Sequence, residues 1–271
     1  MAAPDEITVP QLLRLIGTPR APVIVDISTD ADFNADPFLI PGAFRHPHED
    51  LAGLLQILRG RRVVMVCQKG LKLSQGMAAR LRGEGIAAEY LSGGMSGWRK
   101  HPEAPRIPAA ALPEKVDVAT LWVTRHRPKI DRIACPWLIR RFVDPGARFL
   151  YVSPGEVIGV AERFGATAFD VEDVFWSHRG ENCSFDTMLD EFHLHTTALD
   201  RLALVIRAAD TNRHDLAPEA AGLLAFSVGL SRQYRDDLAQ LDAGMALYDA
   251  LYAWARDGQG EGHDWPSGRA G

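Results

Sequence analysis

Val63-Val64-Met65-Val66-Cys67-Gln68-Lys69-Gly70-Leu71-Lys72-Leu73-Ser74 decides how the first half of the chain is read. Four apolar residues run straight into a cysteine. A short apolar run of this kind reads as a strand buried on both faces. A loop with one glycine and two lysines follows. Helical spacing then begins at Ser74, with Met77, Ala78 and Leu81 on one face and Gly83 and Gly85 at the end. A thiol at the end of a buried strand, facing the amino end of a helix, stands in a positive electrostatic environment. Backbone N–H groups and the helix dipole favour its thiolate there. That construction suits a nucleophile. The plain alternative is a core cysteine that happens to end a strand.

The flanks repeat the alternation. Thr8 is placed to cap a first helix with Pro10 near its first turn, and Leu12, Leu13, Leu15 and Ile16 supply the apolar face. Pro22-Val23-Ile24-Val25-Asp26 reads as a buried strand ending in an acid. Residues 29–39 are polar and read as irregular, and Ile40-Pro41-Gly42-Ala43 as a turn. Leu51 to Leu58 has helical spacing, and Ala87 to Leu91 is a third strand. Ser92-Gly93-Gly94-Met95-Ser96-Gly97-Trp98 reads as a glycine-rich turn leading to an aromatic anchor. Strands alternating with helices imply an α/β fold, a parallel sheet covered on both faces. Ligands bind at the carboxyl ends of such strands, and Cys67 lies at one.

Four of these segments, in this order, resemble the rhodanese domain: Val25-Asp26-Ile27, Ile40-Pro41-Gly42-Ala43, Cys67 to Lys72, and Leu91 to Trp98. The resemblance implies a sulfurtransferase, with the Cys67 thiolate taking a sulfane sulfur as a persulfide and passing it to a thiol acceptor. It implies that the loop amides of Gln68, Lys69, Gly70, Leu71 and Lys72 cradle that sulfur, that Lys69 and Lys72 attract an anionic donor, and that Asp26 belongs to the substrate site. Lys72 stands where the family often has arginine, which keeps the charge but loses the forked grip on an oxyanion. Phosphatases resembling rhodanese need an arginine after five residues from the cysteine. Leu73 occupies that position here and cannot bind phosphate oxygens.

The chain has 271 residues, 46% of them hydrophobic, and a formal net charge of −5, so one large or two modest domains are expected. The negative balance argues against a nucleic-acid-binding surface over the whole molecule. No apolar run approaches the roughly 20 residues that span a bilayer. Met1-Ala2-Ala3-Pro4-Asp5-Glu6 lacks the basic and apolar regions of a signal peptide, and a cytoplasmic protein is expected. Three distant cysteines, Cys67, Cys135 and Cys183, fit free thiols in a reducing compartment.

Proline-rich residues 106–118 read as a linker between a domain at 1–105 and another at 119–256, with a disordered tail at 257–271. The second domain reads as mostly helical α+β. Leu121 to Thr124, Arg148 to Val152 and Ala168 to Val171 read as strands; the helices run from Asp131 to Phe142, Ser184 to Phe192, Thr197 to Asp210, Pro218 to Tyr234 and Asp236 to Ala255. His178, Glu181 and Cys183 share one loop, and Asp210 ends a later helix. Imidazole, thiolate and carboxylate are transition-metal ligands, so a zinc or iron site at His178, Cys183 and Asp210 is one reading. A loop histidine beside a half-buried thiol is the other. Arg125, His126, Arg127, Lys129, Arg132, Arg140 and Arg141 form either an oxyanion or nucleic-acid patch or a solvated, ion-paired face.

Ile130 to Asp144 and Ser177 to Asp186 resemble the C-terminal domain of the ChrB-type chromate-resistance family. That resemblance marks Asp131, Arg132, Trp137, Arg141, His178, Cys183 and Asp210 as candidate functional residues. It implies a role in chromate or metal stress, with a metal or an oxyanion such as chromate as ligand. A non-catalytic stress sensor with a redox-active thiol is the alternative.

Overall fold

The computed structural model describes residues 5–262. The first half comprises β1 (Glu6–Ile7), α1 (Val9–Leu13), β2 (Val23–Asp26), α2 (Asp30–Asn34), β3 (Phe38–Leu39), β4 (Ala43–Arg45), α3 (Leu51–Leu58), β5 (Arg62–Val66), α4 (Lys72–Gly83), β6 (Ala87–Leu91) and α5 (Gly94–Lys100). The second comprises β7 (Ile107–Pro108), β8 (Lys115–Val116), β9 (Ala119–Arg125), α6 (Asp131–Leu138), a π-helical turn (Ile139–Val143), β10 (Arg148–Val152), α7 (Val157–Phe164), β11 (Thr167–Ala168), α8 (Ser184–Glu191), α9 (Thr197–Asp210), α10 (Ala220–Gln233) and α11 (Asp237–Asp257).

β1-β6-β5-β2-β4 form a wholly parallel sheet with β5 at its centre. Val63 to Val66 are fully buried, as their unbroken apolar run demands. Thr8 caps α1 in a reciprocal capping box with Gln11. Two expectations change here. Residues 29–39 are not irregular: Thr29 accepts the N–H of Asp32 and starts α2, and Phe38–Leu39 pairs antiparallel with Ile107–Pro108. The glycine-rich turn is the first turn of α5.

In the second half β10-β9-β11 are parallel and β8 pairs antiparallel with β9. Helices α8, α9 and α11 pack against α6, and α10 packs on α9 and α11. Pro136 lies within α6, beyond the first turn where proline is readily tolerated. Its missing N–H frees the carbonyl of Arg132, and the Tyr151 hydroxyl donates to that carbonyl at 2.9 Å. The helix then widens: Asp144 N–H bonds Ile139 C=O, five residues back, and the helix expected to reach Phe142 ends as a π-turn.

That turn meets the first half. The Phe142 carbonyl accepts the Gly42 N–H at 2.5 Å, and the Phe142 ring fills the space beside Gly17. One buried cluster accordingly runs from Ile7, Leu12 and Ile24 through Trp98 to Trp122, Trp137, Phe142 and Tyr252. Residues 106–118, which read as a linker, are fixed along their length. Ile107 is buried in that cluster, Arg106 pairs with Asp36 at 2.8 Å, and Lys115–Val116 joins the second sheet. The expected tail divides: Asp257 closes α11, and residues 263–271 lie outside the described residues.

Candidate functional site

Cys67 follows the last residue of β5, and its loop ends at Lys72, where α4 begins. No side chain caps α4, so its first N–H groups point toward the loop without a protein capping partner. The thiol is buried and lies 3.2 Å from Ser74 Oγ. As a thiolate it accepts that hydroxyl's hydrogen, a charge-assisted bond. Gly70 is buried, while Lys69, Leu71 and Lys72 face solvent and Gln68 is half-buried.

A second segment holds the loop from behind. Met95 N–H donates to the Cys67 carbonyl at 3.1 Å and Ser96 N–H to the Gln68 carbonyl at 2.9 Å. Gly94, at φ +55°, lies so close that a Cβ there would collide with the Cys67 carbonyl and the Gly70 nitrogen. Gly70, at φ +66°, faces Gly93 and Gly94 in the same way. Only residues without a Cβ let these two chains approach. Asp26 ends β2, beside β5. Its Oδ1 accepts the Ser28 N–H at 2.8 Å, and Oδ2 has no partner among the described residues. Burial raises its carboxyl pKa, against the hydrogen bond from Ser28.

The second half gathers a different set. His178 Nε2 lies 3.2 Å from Asp210 Oδ2, 3.4 Å from Asp170 Oδ1 and 3.7 Å from Asp131 Oδ2. Asp131 opens α6, Asp170 follows β11, His178 is on the following loop and Asp210 ends α9. Ser184, first residue of α8, fixes two of them: its N–H donates to Asp131 Oδ2 at 2.7 Å and its hydroxyl to Asp170 Oδ1 at 2.9 Å. Arg132 and Arg125 reach the other Asp170 oxygen at 3.3 and 3.4 Å.

The backbone at this cluster is strained. Ile130, a β-branched residue, has φ +43°, and Asp170 has φ +51°. Ser227 Oγ takes the Ile130 N–H and the Tyr248 hydroxyl donates to its carbonyl, holding the conformation that aims Asp131 inward. Burial, then the charges of Asp210 and Asp170, push the Asp131 carboxyl well above the usual range. Burial opposes ionisation of Asp170 too, yet bonds from His178 and Ser184 and the arginines bring its carboxyl below its ordinary value. Contacts to Asp170 and Asp210 raise the His178 imidazole to about 10.

His178 and Asp210 thus come together, and Cys183 does not join them. Cys183 is the N-cap of α8, and it exchanges capping bonds with Asp186. Burial pushes its thiol well up, as it does for Cys135. Asp131 is in the cluster, and Arg132 borders it. Trp137 and Arg141 instead hold α11: the Arg141 guanidinium forks onto Asp249 with two 2.8 Å bonds, and the Trp137 indole N–H donates to the same carboxylate. Glu181 lines a separate cleft of about 380 Å³ with Asn182, Arg207 and Thr211. The basic run is largely ion-paired or capping, with Arg140 on Asp242 and Arg127 on the carbonyls of Ser231 and Tyr234. Sequence reasoning missed Ser74, Asp170 and Ser184. Asp170 had a signal, since it follows a short apolar strand as Asp26 does.

A parallel sheet with a cysteine loop at the carboxyl end of its central strand defines a rhodanese-like domain, and residues 8–101 match that family. Residues 122–255 match the C-terminal domain of ChrB, so the chain joins the two. Protein ChrB of Cupriavidus metallidurans is 34% identical over 137 residues, which cover 48% of this chain and 39% of that protein. The chain therefore spans well under half the length of that curated relative. Among solved structures, a rhodanese-like domain protein from Staphylococcus aureus is 25% identical, covering 36% of this chain and 94% of its own, with a TM-score of 0.33. A Staphylococcus saprophyticus protein is 27% identical, covering 34% and 89%, with a TM-score of 0.30. Among the described residues no helix is long and apolar enough to cross a membrane.

Proposed function

We propose that this protein is a sulfane-sulfur transferase of the cytoplasm that acts in chromate or metal stress. One observation carries the reading. Cys67 Sγ sits between the end of a buried central strand and the uncapped amino end of α4, with Ser74 Oγ 3.2 Å away. The Cys67 thiolate attacks the outer sulfur of a donor such as thiosulfate. A new S–S bond forms, the bond from that sulfur to the sulfonate breaks, and its electron pair leaves with sulfite. Cys67 then holds a persulfide whose terminal charge faces the α4 amino end. A thiolate acceptor attacks the outer sulfur and Cys67 returns to the thiolate. Lys69 and Lys72, both exposed at the loop, attract the anionic donor. The ChrB C-terminal half supports placing this chemistry in chromate resistance.

The test is thiosulfate-to-cyanide sulfur transfer by the full chain and by Cys67→Ser. Transfer by the wild type and none above background by the variant is expected. Equal rates in both, or no transfer by either with any sulfane donor, would overturn the reading.

A further inference from the structure

The Asp131–Asp170–His178–Asp210 cluster has no part in sulfur transfer at Cys67. We infer that Asp131, Asp170 and His178 are the ligands of a divalent first-row cation, bound through carboxylate oxygens and one imidazole without a thiolate, with Asp210, 3.2 Å from that imidazole, as an outer partner.

The spacing is the first argument. Ligands about 2.1 Å from one ion lie roughly 3.0 Å apart in octahedral and 3.4 Å apart in tetrahedral geometry. The distances from His178 Nε2 to the three carboxylates are 3.2, 3.4 and 3.7 Å. Ligand atoms of Asp131, Asp170 and His178 all lie within 4.8 Å of one another.

An ordinary ion-pair network would account for Asp170, which has Arg125, Arg132 and His178 around it. It does not account for Asp131. That side chain is wholly buried, His178 at 3.7 Å is the only cationic partner recorded for it among the described residues, and Oδ1 has no hydrogen-bond partner there. A carboxylate so buried is costly unless a cation neutralises it. The chain nonetheless holds it in place through a strained Ile130 and the Ser184 N–H. Ser184 bonding two of the carboxylates is the arrangement by which second partners orient metal ligands.

The donor set fixes the chemical class. Two carboxylates and an imidazole suit manganese, iron or zinc as divalent ions. Cys183 and Cys135 are outside the cluster, so soft-metal thiolate chemistry is not part of this site.

The experiment uses the full chain, stripped with EDTA and dialysed. MnCl2 is titrated in and free Mn2+ is read by electron paramagnetic resonance, with zinc and ferrous iron as competitors by calorimetry. Saturable binding at a single site is expected. Asp131→Asn is expected to weaken it by about tenfold or more, the scale on which even second partners of metal ligands act. Asp210→Asn, at the more exposed edge of the cluster, does the same and serves if the buried variant fails to fold. Cys183→Ser leaves the affinity unchanged. Absence of saturable binding for all three ions, equal affinity in wild type and Asp210→Asn, or dependence on Cys183 would overturn the assignment. None of these readouts involves sulfur transfer, so the two ideas fail separately.

Discussion

The Cys67 loop and the Asp131–His178 cluster are built by opposite means. The loop is a backbone device: one thiol, the amino end of a helix, and two glycine segments pressed together so that carbonyls and N–H groups meet. The cluster is a side-chain device, converging from four segments spread over residues 131–210. A backbone device is written locally, and its parts can be recognised in order along the chain. A side-chain device depends on packing that brings distant segments together, and its members look ordinary in sequence.

The contrast predicts where each region breaks. The largest effect is expected outside both, at Phe142, which joins the halves. Phe142→Ala removes a fully buried ring and should cost about 3–5 kcal/mol, read from urea unfolding. A single transition that shifts as a whole would show that loop and cluster share one cooperative unit; loss of one half alone would separate them. Gly94→Ala comes next. A Cβ there meets the Cys67 carbonyl at a positive φ, and about 1–3 kcal/mol of strain is expected together with loss of sulfur transfer. The cluster should be unaffected, which His178 NMR shifts would check.

Ser184→Ala is the counterpart on the other side. It removes a buried hydroxyl that donates to Asp170 and should cost about 1–3 kcal/mol, with sulfur transfer unchanged. Ser74→Ala should lower transfer several-fold, since the Cys67 thiolate and its persulfide lose a neighbouring hydroxyl donor. The smallest effect belongs to Asp26. Its raised pKa means that the folded state binds the proton more tightly, so ionisation above that pKa costs stability. Asp26→Asn should gain within about 1 kcal/mol at pH 7 and nothing at acid pH, compared by thermal unfolding.

The same contrast explains what was legible. Val63 to Val66 and Val23 to Asp26 were plain as strands because burial on both faces forces continuous apolar residues. Helix α5 was hidden because it opens on Gly94, chosen for close approach rather than for helix propensity. Helix α2 was hidden by its polar composition, although Thr29 and Asp32 carry a cap signal. In the cluster, His178 and Asp210 could be singled out by type. Asp170 could not be tied to them, because nothing local reports that β11 delivers it beside α6. Cys183 misled for a related reason: a thiol at a helix cap is an unusual substitute for serine, and its chemistry drew attention from its place.

The strap from residue 106 to 118 is tied to the first half by β7 and to the second by β8, and between β8 and β9 it turns through Asp117 and the exposed Val118. A protease that severs this tip would therefore cut the chain without dividing the molecule. Fragments 1–117 and 118–271 should comigrate on native gel filtration and part only in denaturant. The same property makes the tip a place to open the chain for fragment complementation, with each piece expressed alone and activity restored on mixing.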